Sequence, residues 1–509
     1  MEVNDVIMTI SKSKYCSICQ CGKIAWLKEH MPEEMKPNAS LIARMEAGRE
    51  VGLLARGLFG NCVDVTAFNE DGPDTARMIA NTKHEMEKGT EVICEASFSF
   101  NGLYCAVDML RKDGDGWAIY EVKSSTVHEG SKDDREVYIA DAAFQKYVLE
   151  HCGVKVTGTY LVCINGDYVF NGTLDLHQLF SISDVTEAAS AEAENIEAKL
   201  FNVEKILASP DEPDIDLSEN CNSPYPCVFW SHCARNLPKP SVFDLYRMRF
   251  SKKIEMYKDG LTGFGDLISS QRITNEKQLR QMDFALHDRG TYVDRENIRE
   301  FLGELSYPLY FLDFETMQPV IPQYVGTRPY AQIPFQYSLH YIECEGGALK
   351  HKEFLAESGT DPRRALAERL CADIPMNVCV TAYNKAFECT RIKELAETFP
   401  NLAEHLLNIE SNIRDLLVPF QSGFYYNRAM GGSFSIKSVL PAIFPDDPEL
   451  DYHNLEGVHN GGEAMTIFPQ IQHMEPEEQK TARRNLLKYC ELDTYAMVKV
   501  WEELVRAAE

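Results

Sequence analysis

The sequence predicts an α/β protein built from more than one domain. Strand-like and helix-like patterns alternate along most of the 509 residues, 44% of the residues are hydrophobic and 25% are charged. Since globular domains average about 150 residues, a chain of this length predicts two or three of them. We place a first domain at residues 1–240, a helical connector at 241–300 and a second α/β domain at 301–509.

The elements of the first domain follow from hydrophobic periodicity and from turn residues. They are, in order, an amphipathic helix over 40–60, two strands over 102–125 joined by an Asp-Gly turn, a helix around 141–152, a strand at 156–165, an alanine- and glutamate-rich helix over 184–207, and a proline-punctuated loop at 209–220. The connector is predicted to be mostly helical and charged.

The second domain is predicted to begin with a buried strand, "YFLDFETM" at 310–317. A strand leading into a helix follows at 378–397, and the segment 483–505 has the period of an amphipathic helix. Neither internal repeats nor low-complexity tracts interrupt this pattern.

Composition restricts the compartment and the partners. No apolar run is long enough to cross a bilayer and the start lacks a secretory core, so we expect a cytoplasmic protein without a membrane partner. Sixteen cysteines in such a chain are candidates for metal ligands rather than disulfides. The net charge of −27 requires that any nucleic-acid partner use a local basic groove. The segment 246–258 is a candidate for that groove, and a solvated helix face is the alternative.

Two carboxylates lie side by side on the predicted strand 310–317. In an extended chain Asp313 and Glu315 point to one face, and Leu312 and Phe314 to the other. Adjacent like charges repel and lose hydration, so a divalent cation is expected between them. An exposed edge pair is the plainer alternative.

Further acids could complete such a site. On the C-terminal helix, Asp493 falls inside the apolar stripe and Tyr489 lies one turn earlier, at its edge. Between strand and helix, Asn384 marks the junction and Glu388 the first helical turn. Four carboxylates could then gather around two divalent ions, the arrangement that stabilises the attacking and leaving oxygens in phosphoryl transfer.

"FLDFET", "AYNKAFE" and "YCELD" resemble, in order, the three motifs of the DnaQ-like (DEDD) 3′–5′ exonucleases. The resemblance covers about residues 305–509 and implies a ribonuclease H-like fold. It also implies that Asp313, Glu315, Glu388 and Asp493 bind Mg²⁺ or Mn²⁺ and that Tyr489 orients the attacking water. Glu388 stands where the family usually has aspartate. In the same resemblance Lys437 is a candidate phosphate contact, and Asp415 is either a supporting acid or a capping residue.

A second set of polar residues lies on the predicted hairpin at 102–125. Glu121 and Lys123 share one strand face, and Asp108 lies in the partner strand, so an acidic pair could hold a magnesium ion beside an ammonium group. With Gln145 on the following helix, this set resembles the PD-(D/E)xK nuclease core of RecB-like proteins. A surface ion pair is the alternative. Tyr147 and Glu50 are possible additions.

The cysteines flank this core. Cys221, Cys227 and Cys233 are evenly spaced after it, and "YCSICQCGK" precedes it. Thiolates bind zinc or iron–sulfur clusters. The one-plus-three division resembles RecB-like nucleases with a structural 4Fe-4S cluster, and by that resemblance Cys21 is the fourth ligand. The alternatives are Zn²⁺ and three unrelated buried thiols.

The two resemblances together imply an uncharacterised bacterial family that joins a RecB-like domain with an iron–sulfur cluster to a DnaQ-like exonuclease domain. The implied activity is metal-dependent hydrolysis of DNA phosphodiesters, exonucleolytic on single strands, at two separate active sites, in repair or defence. An RNA 3′–5′ exonuclease is the alternative within enzymes. A nucleic-acid-binding scaffold with inactive sites is the alternative outside them.

Overall fold

The computed structural model of the protein describes residues 10–36, 39–70, 72–126 and 133–509. The first nine residues, on which the expectation about an export signal partly depends, lie outside the described residues. Within the described parts, the structure is mixed α/β, with helices around sheets that contain both parallel and antiparallel pairs. This confirms the α/β class predicted from the sequence.

The chain divides into two compact units. The first consists of Met1–Asn236 with Val320–Tyr330, and the second of Leu237–Pro319 with Ala331–Glu509. The segment 241–300, expected as a connector, therefore groups with the second unit. The short segment Val320–Tyr330, expected in the second domain, groups with the first.

A mixed sheet forms the centre of the first unit. Its strands, with one separate ribbon, are β1 (Ile10–Ser11), β2 (Val63–Asp64), β3 (Phe68–Asn69), β4 (Gly72–Pro73), β5 (Val92–Phe100), β6 (Leu103–Asp113), β7 (Gly116–Thr126), β8 (Val156–Ile164) and β9 (Phe180–Asp184). The order in the sheet is β2-β5-β6-β7-β8-β9, with β1 beside β6 and with β3 and β4 apart. Gly114 has φ +57, which the two-residue turn between β6 and β7 requires.

Helices cover this sheet. They are α1 (Lys12–Gln20), α2 (Gly22–His30), α3 (Ala39–Ala55), α4 (Thr75–Lys88), α5 (Asp133–His151), α6 (Leu176–Leu179), α7 (Thr186–Ala193), α8 (Ile196–Leu207) and α9 (Trp230–Cys233). The single helix expected over 184–207 is interrupted between α7 and α8. There the Asn195 side chain donates to the Ala191 carbonyl at 3.4 Å, and asparagine competes in this way with helical backbone bonds.

The second unit contains its own mixed sheet and a small ribbon. Its strands are β10 (Thr291–Val293), β11 (Leu309–Met317), β12 (Ile333–Ile342), β13 (Lys350–Leu355), β14 (Cys379–Ala382), β15 (Ile413–Asp415) and β16 (Tyr425–Asn427). The sheet order is β13-β12-β11-β14-β15, and β10 pairs with β16. β11 is central, antiparallel to β12 and parallel to β14, which explains why its sequence is apolar on both faces.

The helices of the second unit are α10 (Phe250–Lys258), α11 (Phe264–Ser270), α12 (Glu276–Leu286), α13 (Arg295–Gly303), α14 (Arg363–Asp373), α15 (Ala386–Thr398), α16 (Ala403–Ser411), α17 (Val418–Gln421), α18 (Ile436–Ile443), α19 (Gly461–Gln470) and α20 (Pro476–Ala508). α20 starts with Pro476 in its first turn and a capping box from Glu475 and Glu478, which favour helix initiation. Its apolar stripe packs on β11 and β12. Among the described residues, no helix has both the length and the apolarity needed to span a bilayer.

Candidate functional site

Carboxylates from three separate segments meet at the middle of β11. Asp313 and Glu315 project from this strand, Asp493 comes from α20, and Glu388 comes from the first turn of α15. Glu315 and Asp493 are each 7% exposed, and Glu388 is 3% exposed. Asp313, Glu315 and the Cys490 thiol each offer one ligand atom, and these atoms lie within 4.8 Å of one another. The structure therefore brings together the acids that the motifs singled out.

The sheet determines how the two strand acids point. Leu312 and Phe314 are buried in the apolar core on the opposite face of β11, as alternation requires. On the acidic face Asp313 lies opposite Ser338 of β12. The register shifts between Glu315 and Thr316, and such irregularities commonly redirect side chains beside active sites.

Burial and mutual repulsion raise the pKa values of the strand acids. Burial is the largest cause of the raised pKa of Asp313, followed by the negative charges of Asp493, Glu315 and Glu388. The pKa of Glu315 is raised by burial and then by Asp493. Lys437 opposes both shifts but does not cancel them. Without a further cation, the protein leaves this negative charge largely uncompensated.

Glu388 provides the clearest sign of a missing partner. Burial raises its pKa to about 8, and nearby Asp415 adds to this effect. Its Oε2 is buried and has no hydrogen-bond partner among the described residues. Buried polar atoms are nearly always satisfied. An orphaned carboxylate oxygen facing other carboxylates therefore suits a hard divalent cation such as Mg²⁺ or Mn²⁺.

Two tyrosines and a lysine surround Asp493. The Tyr452 hydroxyl donates to Asp493 Oδ1 at 2.6 Å, and Lys437 Nζ donates to the Tyr489 hydroxyl at 3.0 Å. Burial raises the pKa of Asp493, while Tyr452, Lys437 and Tyr489 each lower it. Tyr489 is 3% exposed, and burial followed by the charge of Asp493 raises the pKa of its phenol far above the ordinary value. It therefore remains a neutral phenol at the edge of the acidic cluster.

Asp415 has a capping role. Its Oδ1 accepts from the backbone N–H groups of Asn384 and Leu417, both at 2.9 Å. Asn384 has φ +66, so the junction between β14 and α15 turns through a left-handed residue. Asp415 thus holds the turn that delivers Glu388 into the cluster.

Sequence reasoning missed Tyr452 and Cys490 as members of this site. Tyr452 lies in an isolated 3-10 turn, Tyr452–Asn454, and no motif indicates that it reaches Asp493. Helical periodicity places Cys490 in the apolar stripe of the C-terminal helix and gives no sign of a polar role. Burial, followed by Asp313 and Glu315, raises the pKa of its thiol well above 9, so it lies in the cluster as a neutral thiol rather than a thiolate ligand.

The predicted set in the first unit also comes together, but with a different charge balance. Glu121 is 2% exposed, and its Oε1 accepts from Lys123 at 2.7 Å and from Lys12 at 2.9 Å. Its Oε2 accepts from Gln145 at 2.7 Å. Lys123 also contacts Asp141 on α5. Both carboxylate oxygens of Glu121 are therefore satisfied by protein groups.

The pKa values in this set reflect the two lysines. Burial would raise the pKa of Glu121, but Lys12 and Lys123 outweigh it and lower the pKa below its ordinary value. Asp108 accepts from the Val122 backbone N–H at 2.7 Å, and burial followed by Glu121 raises its pKa to about 7. Asp108, Glu121, Lys123 and Gln145 are thus contiguous.

Lys12 and Asp141 are members of this set that the sequence did not identify. Lys12 begins α1, more than a hundred residues before Glu121, so no local pattern connects them. Asp141 lies four residues before Gln145 on α5, a spacing that places both on one helix face. This spacing is a signal that could have found it.

The remaining candidates of the first unit have other neighbours in the described contacts. The Tyr147 hydroxyl donates to Glu197 at 3.1 Å, away from Glu121. Glu50 is exposed as a residue, but partial desolvation of its carboxyl group raises the pKa of that group. The charge of Glu50 in turn contributes to the raised pKa of the Tyr330 phenol. Neither is hydrogen-bonded to the Glu121 set in the described contacts.

In the second unit, the basic stretch 246–258 is largely paired. Lys252 forms an ion pair with Glu255 at 2.6 Å, and Lys253 donates to the Phe243 carbonyl at 2.6 Å. These contacts leave fewer cations available for phosphates than the sequence alone indicates.

The four predicted cysteine ligands lie near one another at one end of the first unit. Cys21, Cys227 and Cys233 pack on the same small core of Ile24, Trp26, Leu27 and Phe229. Burial raises the pKa of Cys233 to about 11, and the charges of Cys227, Cys221 and Cys21 add to it. Cys227 N–H donates to the Cys221 carbonyl at 2.9 Å. These residues thus form one group.

Cys16 and Cys19 belong to different surroundings. They line an open cavity of about 570 Å³ with Glu192 and Lys199. Burial is the largest cause of the raised pKa of Cys16, and Asp141 is the next. The choice of Cys21 by resemblance therefore agrees with its position beside the later cysteines.

Comparison with known proteins adds sequence relationships. Residues 310–435 match the sequence model of a family described as "Domain of unknown function (DUF2779)". This segment contains Asp313, Glu315 and Glu388, and it ends before Tyr489 and Asp493.

One relative and one solved structure are similar to parts of the chain. The "Uncharacterized protein UU173" of Ureaplasma parvum serovar 3 is 26% identical over 232 residues, which are 40% of this chain and 32% of that protein. The chain thus spans about a third of the length of the relative it matches. A structure described as "Crystal structure of SSO0001" aligns with 47% of this chain and 91% of its own, at 12% identity. Its TM-score is 0.24, and a likeness at this level carries no argument about fold or function.

Proposed function

We propose that this protein is a divalent-metal-dependent nuclease that hydrolyses phosphodiesters at the carboxylate cluster of its second unit. One observation carries the proposal: acids from β11, α15 and α20 converge with raised pKa values and an unpartnered oxygen on Glu388. Lys437 opposes the raised pKa values of Asp313 and Glu315, and Arg391 opposes that of Glu388, but neither cancels the rise, so the charge of the four carboxylates calls for bound cations. The proposed fold of this unit is ribonuclease H-like, of the DnaQ type.

The residues around the cluster suit this chemistry. Asp313, Glu315, Glu388 and Asp493 would hold Mg²⁺ or Mn²⁺. When bound, these ions activate water and offset the charge that develops on phosphate oxygens. Tyr489 is a neutral phenol held by Lys437 Nζ at 3.0 Å, so it can orient a water molecule through its hydroxyl. The Lys437 ammonium would contact a phosphate oxygen.

Tyr452 has a positioning role in this proposal. Its hydroxyl donates to Asp493 Oδ1 at 2.6 Å and so fixes the orientation of this carboxylate. Ligands of catalytic metals are commonly oriented by such second contacts. Tyr452 therefore acts through Asp493 and does not itself touch substrate.

The first unit supports a second, separate proposal: a RecB-like domain of the PD-(D/E)xK type. Asp108, Glu121, Lys123 and Gln145 are contiguous there, and Asp108 and Glu121 would be its metal ligands. The lysines Lys12 and Lys123 now occupy Glu121 Oε1, so a metal ion would have to displace at least one of them.

For Cys21, Cys221, Cys227 and Cys233 we propose a structural 4Fe-4S cluster, with Zn²⁺ as the alternative. Four thiolates bound to one zinc ion at about 2.3 Å would have their sulfur atoms roughly 3.8 Å apart. Among the described residues, the sulfur atoms of these four cysteines do not all lie within 4.8 Å of one another. A cubane holds its cysteines farther apart. Absorbance near about 400 nm in the purified protein, with iron in the metal analysis, would identify the cluster; zinc without colour would favour the alternative.

The nuclease proposal is tested with labelled single-stranded DNA and RNA in Mg²⁺, Mn²⁺ or chelator. D493N should reduce cleavage by about 100-fold or more, because removing one ligand weakens the shared cation site. E502Q is the matched control on the same helix, since the Glu502 side chain is 48% exposed and its described ion pair is with Lys499. DNA is the preferred substrate in the proposal; cleavage of RNA alone would favour the RNA exonuclease.

Two results would contradict the proposal. Cleavage that is equal in D493N and in the unaltered protein would move the activity away from the second unit, and E121Q would then test the first. If neither nucleic acid is cut with any metal, the nucleic-acid-binding scaffold remains.

A further inference from the structure

Two histidines and a glutamate form a second group of potential ligands in the second unit. His340 lies on β12, His351 lies on β13 and Glu491 lies on α20. One ring nitrogen of each histidine and one Glu491 oxygen lie within 4.8 Å of one another. The two histidines belong to no motif identified in the sequence; Glu491 lies within "YCELD", but no role was assigned to it there.

The sheet and the helix each contribute a fixed part of this group. His340 and His351 are direct cross-strand partners in the antiparallel register, and their ring centroids are 4.5 Å apart. Directly opposite residues on one sheet face have neighbouring Cβ atoms. Glu491 and Thr494 are three residues apart on α20 and so share the helix face that meets this pair.

A chain of hydroxyl groups fixes the imidazoles. The Thr494 hydroxyl donates to the Glu491 carbonyl at 3.1 Å, and a carbonyl can only accept. Thr494 Oγ1 also lies 2.6 Å from Ser338 Oγ and 2.8 Å from His340 Nδ1. With the Thr494 proton on this carbonyl, Thr494 can accept from Ser338 and from His340 Nδ1–H.

The same order determines the second ring. Ser338 Oγ lies 2.9 Å from His351 Nε2. Since Ser338 donates its proton to Thr494, it accepts from His351 Nε2–H. In this arrangement each hydrogen bond of the network has one donor and one acceptor. None of these bonds uses the lone pair of His340 Nε2 or of His351 Nδ1.

The free nitrogens are those needed for a metal. His351 Nδ1 lies 3.9 Å from Glu491 Oε1. Tetrahedral ligands at about 2.1 Å from zinc are roughly 3.4 Å apart, so the pair needs to close by only about half an ångström. Histidine ligands typically donate their other ring N–H to a fixed acceptor, as both rings do here.

The group is open to solvent on one side. His340 is 5% exposed, whereas the side chains of His351 and Glu491 are 23% and 50% exposed. An ion can therefore enter from the Glu491 side, and a water molecule can complete its coordination.

We propose that His340, His351 and Glu491 bind one divalent d-block cation, with Zn²⁺ as the representative ion. Two imidazoles and one carboxylate favour this class over Mg²⁺, which prefers oxygen ligands. The ion would tie α20 to β12 and β13. The inference goes beyond the proposed nuclease function and does not depend on it.

The test is equilibrium dialysis of the full-length protein against Zn²⁺. Excess Mg²⁺ is present to occupy the carboxylate cluster, so that zinc bound there does not add to the measured zinc content. The zinc content of H351Q and of E491Q should each be one equivalent lower than that of the unaltered protein. E353Q is the matched control on β13, because Glu353 is near the group but outside it. Its zinc content should equal that of the unaltered protein.

Cobalt provides a second measurement. Co²⁺ adopts the same ligands as Zn²⁺ but absorbs visible light, so its bands report on the coordination. We expect bands without a thiolate contribution that are lost in E491Q and retained in D313N. If H351Q fails to fold, E491Q decides, since its side chain is half exposed. Equal zinc content and unchanged cobalt bands in E491Q would overturn the inference.

Discussion

The two units differ in how many positively charged side chains lie beside their buried acids. In the first unit, Glu121 is buried between two ammonium groups and an amide, and its pKa is lowered. In the second unit, Asp313 and Glu315 are buried among other acids with Lys437 alone opposing them, and their pKa values are raised. For Glu121, Asp313 and Glu315, the direction of the pKa shift thus reflects whether lysines of the protein balance the charge; Asp108 of the first unit has a pKa raised to about 7 and resembles the acids of the second unit in this respect.

This difference has a consequence for stability. A carboxylate paired by protein cations is needed for folding, because its loss leaves buried charges behind. A carboxylate among like charges opposes folding until a cation binds, and binding energy then adds to stability. Substitutions at the two sites should therefore change stability with opposite sign.

The largest effect is expected for E121Q. Removing this charge leaves Lys12 and Lys123 without their buried partner, and the first unit should lose about 3–5 kcal/mol of unfolding free energy. Urea denaturation followed by tryptophan fluorescence reports mainly on this unit, since three of the four tryptophans lie in it: Trp26, Trp117 and Trp230.

D115N is the control for that measurement. Asp115 pairs with Lys155 at 2.7 Å, and the two side chains are 79% and 62% exposed. Loss of such a pair should change the free energy by less than about 1 kcal/mol. Equal effects of E121Q and D115N would show that the buried network is not what holds the first unit together.

The pH dependence of the metal-free second unit is the next largest effect. Burial raises the pKa of Glu388 to about 8, so the folded state binds this proton more tightly than the unfolded state does. The resulting stability is fully present below the ordinary carboxyl pKa and is lost as the pH rises through about 8. Between pH 5 and pH 8 the unfolding free energy in chelator should fall by about 3.5 kcal/mol.

Hydrogen exchange of peptides from β11 and α20 measures this change locally. Saturating Mg²⁺ should restore protection at pH 8 and have little effect at pH 5, where protons occupy the acids. Protection that is independent of pH in chelator, or that increases with pH, would contradict the charge balance inferred for this site.

Y489F should reduce cleavage by about tenfold, or about 1.4 kcal/mol of transition-state stabilisation. The phenyl ring keeps the packing but removes the hydroxyl that orients water. Mg²⁺ dependence should remain unchanged, because Tyr489 is not a proposed ligand. Steady-state cleavage over a range of Mg²⁺ concentrations separates the two effects, with Y495F as the control on the same helix. A shift in the Mg²⁺ requirement would instead assign Tyr489 to metal binding.

The smallest expected effect is that of D313N, and its sign distinguishes the acids of the second unit from Glu121 of the first. D313N removes one of the repelling charges, so the metal-free second unit should gain about 1 kcal/mol of stability. Denaturation in chelator, again followed by hydrogen exchange, measures it. A loss of several kcal/mol, as expected for E121Q, would show that protein groups already balance the charge of Asp313.

Much of the candidate site was predictable because its members lie within short motifs. The alternation in "YFLDFETM" places Asp313 and Glu315 on one face, and helical periodicity places Asp493 in the buried stripe of α20. The hairpin and its glycine turn likewise follow from local patterns. The break between α7 and α8 does not, because the Asn195 side chain competes with a helix that periodicity alone favours.

The sequence by itself determined the α/β class, the central strand β11 and the pair of acids on one of its faces, since each depends on neighbours a few positions apart. Only the tertiary structure decided the charge balance: Lys12 reaches Glu121 across more than a hundred residues, and Tyr452 reaches Asp493. The pairing of His340 with His351 and Glu491 likewise depends on strand register and on the position of α20. Burial and Coulomb interactions act through space, so groups far apart in the chain set one another's protonation.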